Sequence, residues 1–157
     1  MQTFPKLQRD SFIKKILKNL FFLVFYIFYI VLSSLYIFFP PLLGVLFSKY
    51  IKDVKNMDIL GITSVFIAVL FFEILKSDTI GIVFLMYVLL AFITHRIGSV
   101  LQEETAFFRL IYIFFPYVFY FFILQCLTIF KSEPPMHFDI LFLWYFIVES
   151  VIVIWKK

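Results

Sequence analysis

The sequence predicts an all-α, polytopic membrane helix bundle of six membrane segments, the second short or re-entrant, with both termini cytoplasmic. Three observations lead there. The 157 residues are 64% hydrophobic and only 15% charged, with a mean hydropathy of +1.04. A soluble domain is about half apolar and about a quarter charged, so a water-facing surface would not tolerate this chain. Apolar runs fall near residues 18–38, 41–51, 58–75, 80–97, 106–127 and 138–155, and a crossing takes ~20 residues. The third observation is the distribution of lysine and arginine between the runs. A single transmembrane domain then occupies residues 1–157.

The first two segments are the least obvious. From Leu20 to Ser48 the chain is almost continuously apolar, ~43 Å of helix at ~1.5 Å per residue. That is too long for one ~30 Å crossing and short for two. Pro40 and Pro41 lie inside the stretch and favour a break, because the second proline biases the first out of the α region. Charge supports the break. With a hairpin at Pro40-Pro41, twelve of the 14 Lys and Arg residues share one side, Lys76 and Lys131 being the exceptions. The positive-inside rule makes that side the cytoplasm. Lys49 and Lys52 would then snorkel from the short second segment to the interface. Ahead of the first segment, "KLQRDSFIKKILKNL" has the composition of an interfacial amphipathic helix.

The third and fourth segments join through "KSD" (76–78), which the topology puts on the outer face. Ionisable residues within a membrane are functional candidates by default, since burying a charge is costly. Glu73 lies one turn from the outer end of segment three and three residues before Lys76, so it either pairs with that lysine or contacts a neighbouring helix or a partner protein. Asp78 is placed to cap a helix beginning at Thr79, and Gly81 to let helices approach closely. In segment six, Glu149 sits ~9 Å along the helix from the belt residue Trp155. It is expected either to hydrogen-bond another helix while neutral or to face a polar cavity.

Other chemistry finds little support. The outer loop "KSEPPMHFD" (131–139) offers Glu133, His137 and Asp139, in a spacing that fits no recognised ligand pattern, so neither metal nor cofactor is expected. His95 adjoins Arg96 at an inner helix end, facing lipid headgroups. The single Cys126 excludes an internal disulfide. No cleavable signal peptide is expected. Nucleophile elbows, phosphate loops and zinc-protease motifs are absent from the sequence, so no enzyme is expected. The basic inner face implies acidic lipid headgroups as partners and does not imply nucleic acid. With 25 Phe against 3 Ala and 4 Gly, many phenylalanines read as drift on a lipid-tolerant surface.

Two stretches carry a resemblance. "FPPLLGVLFSKYIK" (39–52) and "FFEILKSDTIGIVFLMYVLLAFITHRI" (71–97) resemble the second span and the third-to-fourth hairpin of the rod shape-determining protein MreD family. In that pattern Pro41, Leu42 and Leu43 stand at the proline-led start of the second span, Glu73 at the usual aspartate and Gly81 at the usual glycine. The aspartate after the second-span proline is missing, and Thr79-Ile80 replace Pro-Leu. The resemblance covers roughly residues 39–97. It implies a non-enzymatic scaffold of the cell-elongation machinery in the bacterial inner membrane, binding MreC and linking the MreB filament to peptidoglycan synthesis by a RodA-type complex. Taken with the intramembrane carboxylates above, the partner-binding candidates are Pro40, Pro41, Glu73, Asp78, Gly81 and Glu149. The competing class is the substrate-binding subunit of an energy-coupling-factor transporter, whose ligand would meet the outer tips at Tyr36, Asp78, Glu133, His137 and Asp139.

Overall fold

The computed structural model describes residues 4–76, 80–98, 106–131 and 140–155, and among them all regular secondary structure is helical. The six helices are α1 (Phe4–Leu35), α2 (Leu43–Lys55), α3 (Ile59–Lys76), α4 (Ile82–Gly98), α5 (Ala106–Lys131) and α6 (Ile140–Trp155). Each overlaps one of the apolar runs of the sequence. Three are long and apolar enough to cross a membrane, at Phe12–Leu35, Ile59–Lys76 and Arg109–Lys131. The apolar parts of α4 and α6, Ile82–Thr94 and Ile140–Val153, are shorter. This is a membrane protein by the length and apolarity of those helices.

The basic N-terminal stretch is continuous with α1 and does not form a separate helix. After Pro5 it contains no breaker, and its Lys, Leu, Gln and Ile residues carry little or no penalty in a helix. At the other end, α1 stops at Leu35, and residues 36–42 run in non-helical conformation to α2. Pro40 and Pro41 enforce that break, as expected. α2 extends past the predicted 41–51 to Lys55, yet its 13 residues make only ~20 Å of helix.

Short as it is, α2 lies at the centre of the bundle, against α3, α5 and α6. Leu43, Gly44, Leu46, Phe47, Tyr50 and Ile51 are all buried. Phe47 and Tyr87 pack edge-to-face at 5.3 Å, and Tyr50 meets Phe66 at 5.5 Å. In lipid the hydrophobic effect does not drive such contacts; close packing and interhelical hydrogen bonds do. α1 is peripheral by contrast, docked on α3 and exposing Phe21 (75%) and Phe28 (66%).

Midway along its length α2 is tied to α1 and α3 through Lys49. The ammonium pairs with Asp53 at 2.5 Å and reaches Asn19 Oδ1 at 3.5 Å and Ser64 Oγ at 3.4 Å. The expected snorkelling of Lys49 is therefore replaced by an internal polar cluster. The cause is Asp53 one turn along the same helix, which supplies a counter-charge inside the bundle. Gly61 makes room for it, since a Cβ there would lie 2.5 Å from the Asp53 carboxyl group. A tight turn at Asn56–Asp58, with Met57 in the left-handed region (φ 50), then leads into α3.

Candidate functional site

The polar chemistry of the bundle gathers at the start of α2. Non-helical backbone inside an apolar protein needs every polar group satisfied from within. Pro40 and Pro41 reduce the demand by bringing no N–H. The carbonyls of residues 36–43 each have a donor. Tyr36 O accepts from Phe39 N at 3.2 Å. Tyr145 Oη donates to Ile37 O, and Trp144 Nε1 to Phe38 O at 3.1 Å. From α1, Ser33 Oγ donates to Phe39 O at 2.8 Å, Tyr29 to Pro40 O at 2.8 Å and Tyr26 to Pro41 O at 3.1 Å. Leu42 O takes Leu46 N at 3.0 Å, the first helical bond, and Tyr87 donates to Leu43 O at 2.7 Å.

The donors of α2 pose the reverse problem. The first amides of a helix have no intrahelical acceptor, and a side chain at the N-cap usually supplies one. Here the N-cap is Leu42, which has no acceptor atom and is held in the left-handed region at φ 57. Glu149 of α6 provides the cap. Its Oε2 accepts from Val45 N at 3.2 Å across 104 residues of sequence, with the amides of Gly44 and Leu42 also facing the carboxyl group. Tyr117 of α5 donates its hydroxyl to Oε1. The glutamate is fully buried, at 0% exposure, and a helix N-terminus carries roughly +0.5 elementary charge that favours an acidic group there. α2, α5 and α6 are thus fastened at one carboxyl group.

Gly44 makes that approach feasible. A Cβ there would sit 2.8 Å from Glu149 Oε2, 2.7 Å from Ile113 Cγ2 and 2.8 Å from Ile113 Cα. The last atom is backbone and cannot swing aside. Gly44→Ala is accordingly expected to cost about 1–3 kcal/mol, as overpacked cores do, measured by titrating the purified chain from mild detergent into dodecyl sulfate and following its helicity.

A second glutamate repeats the arrangement. Glu73, near the C-terminus of α3 and also at 0% exposure, accepts from Gly81 N at 2.7 Å and Val83 N at 2.6 Å. It therefore caps α4. The expected ion pair with Lys76 does not form; the lysine donates to Ser33 Oγ at 2.9 Å instead. The unsatisfied amides at the start of α4 hold the carboxyl group inside the bundle. α4 begins at Ile82, later than the expected Thr79, and Asp78, the predicted cap, lies outside the described residues, as do Glu133, His137 and Asp139. Gly81 serves a different purpose from the one expected. Nothing lies within 4 Å of a Cβ built on it, but its φ is +94, a conformation that glycine adopts without strain. Close helix approach occurs at Gly44 and Gly61 instead.

Sequence reasoning found both glutamates and both prolines, and the structure brings Glu149, Pro40 and Pro41 to the two flanks of one break. It missed the tyrosines. Tyr26, Tyr29 and Ser33 recur at i, i+3 and i+7 on α1, a polar stripe on one helix face, which was the available signal. Chemically, the arrangement fixes helix ends and holds a discontinuous helix in place. Its carboxyl groups are engaged by their own chain. No family model, curated protein or solved structure matches the chain.

Proposed function

We propose that this protein is a non-enzymatic scaffold of the bacterial inner membrane that works by docking other membrane proteins. Its six helices would all be membrane segments, the short α2 just long enough to return the chain to the inner side, with both termini cytoplasmic. Twelve of 14 basic residues on one side support that topology. The observation carrying the functional reading is that both buried glutamates cap helices of their own chain, which makes them fasteners of a rigid body and not groups turned to a substrate. A rigid bundle with an exposed apolar flank, such as that of α1 around Phe21 and Phe28, suits helix–helix docking within the bilayer. The MreD-like stretches at 39–52 and 71–97 suggest the setting: the elongation machinery, with an MreC-like protein and a RodA-type synthase as partners. In this reading Pro40, Pro41, Glu73, Gly81 and Glu149 act on partner binding by shaping the bundle.

The test is purification from native membranes in mild detergent, with co-isolated proteins identified by mass spectrometry. An MreC-like protein together with wall-synthesis enzymes is the expected result. A pair of ATPases with a coupling subunit would overturn it in favour of a transporter subunit. One observation favours that second reading, a cavity beside Lys76.

A further inference from the structure

That cavity lies between α3, α5, α6 and the start of α2, with a volume of about 200 Å³. Phe72, Tyr117, Tyr120 and Phe142 form its walls, with Lys76 and Tyr145 also lining it. Leu43 and Phe72 are 1% exposed and Tyr117 5%, whereas Lys76 is only half-buried. The space therefore runs from the ammonium inward to the break before α2.

The geometry points to a binding site for a small carboxylate with an apolar body, an aryl or short acyl acid, whose carboxylate meets Lys76 and whose body lies among the aromatic walls. Charge sets the first half of this assignment. Among the described residues one of the three N–H groups of Lys76 goes to Ser33, which leaves donors for an anion. The tyrosine hydroxyls contribute less, because that of Tyr117 is given to Glu149 and that of Tyr145 to Ile37 O. Lys76 is the one charged group among the described residues lining the cavity, so the ionic part of recognition falls on it. A zwitterion or a sugar would leave its remaining polar groups facing Phe72, Phe142 and Leu43, which is costly. Size sets the second half. An apolar cavity of roughly 150 Å³ takes a benzene ring, so this one accommodates a ring and a carboxylate and excludes a drug-sized ligand. Occupancy would brace Tyr117, and through its hydroxyl the Glu149 cap, so the ligand would stiffen the centre of the bundle. The assignment stands apart from the scaffold role and does not depend on it.

The full chain in phosphatidylcholine nanodiscs, probed with 3-phenylpropionate by ligand-observed saturation-transfer NMR, tests this. Saturable binding is expected, with the neutral 3-phenylpropan-1-ol weaker by about tenfold, the size of one hydrogen bond to a charged group. Lys76→Met should lose that preference for the acid and Lys76→Arg keep it. Phe142→Trp, which fills the cavity and leaves the charge, should weaken acid and alcohol alike. Because the acid–alcohol comparison and Phe142→Trp need no change at Lys76, a poorly folding Lys76→Met leaves the test intact. Equal binding of acid and alcohol by the wild type, unchanged binding by Phe142→Trp, or no binding at all would overturn the assignment. So would displacement of the probe by phosphatidylglycerol with identical behaviour of Lys76→Met, which would mark a lipid surface and not a cavity.

Discussion

Glu149→Ala is expected to destabilise the bundle by about 3–4 kcal/mol, the largest effect of any single substitution considered. The change removes the acceptor for Val45 N and for the Tyr117 hydroxyl, and a buried donor left unpaired costs ~1–3 kcal/mol. No other group is placed to take over, since the N-cap residue is a leucine. Glu149→Gln keeps the shape and one acceptor oxygen and should lose about 1–2 kcal/mol, because its amide nitrogen replaces the second acceptor. Tyr117→Phe should cost less than Glu149→Ala, because it removes a donor along with its need. Helicity during dodecyl sulfate titration reads all three. If Glu149→Ala unfolds at the wild-type midpoint, the α2 cap is not what holds that helix.

Glu73→Ala should follow at roughly 2–4 kcal/mol, from the amides of Gly81 and Val83 that lose their acceptor. Here the informative comparison is Lys76→Ala. An ion pair between the two residues would make both variants equally costly. A cap makes them unequal: Lys76→Ala loses one half-buried contact to Ser33, worth about 1 kcal/mol or less. Amide hydrogen exchange localises the effect. Glu73→Ala should speed exchange at Gly81 and Val83 well before the rest of α4, whereas Lys76→Ala should leave those two amides protected. Equal protection in both variants would return Glu73 to the role of a simple ion-pair partner.

The helices were legible in the sequence because apolar runs and basic residues are strong, additive signals. The break at Pro40-Pro41 was legible for a local reason, as two consecutive prolines cannot continue α1. The partners of the break were not. Glu149 and Val45 are separated by 104 residues, and no spacing rule connects them. Glu73 illustrates the same point at short range. A lysine three residues on suggested a pair along the helix, yet the amides of the next helix outcompeted it. Glycines behaved likewise: Gly81 looked like a packing residue and is a turn residue, while Gly44 and Gly61 earn their places only against Ile113, Glu149 and Asp53, which lie on other helices or turns of the chain. The tyrosines were hidden by composition. In a chain with 25 Phe and 9 Tyr, the hydroxyls of Tyr26, Tyr29, Tyr87, Tyr117 and Tyr145 gained meaning only once the carbonyls and the carboxyl group they serve were in place.

In the proposed topology α2 starts inside the bundle and carries the chain from the break at residues 36–42 to the opposite face. It is tested most directly by side-specific labelling. With Cys126 replaced by alanine, single cysteines are placed at Ile37 and at Met57, both exposed, and intact cells are treated with a membrane-impermeant maleimide. Labelling at Ile37 alone, with Met57 reacting only after the membrane is opened, is the predicted result. Labelling of both positions from outside would mean that α2 turns back without crossing, and would contradict the six-segment arrangement on which the scaffold reading rests.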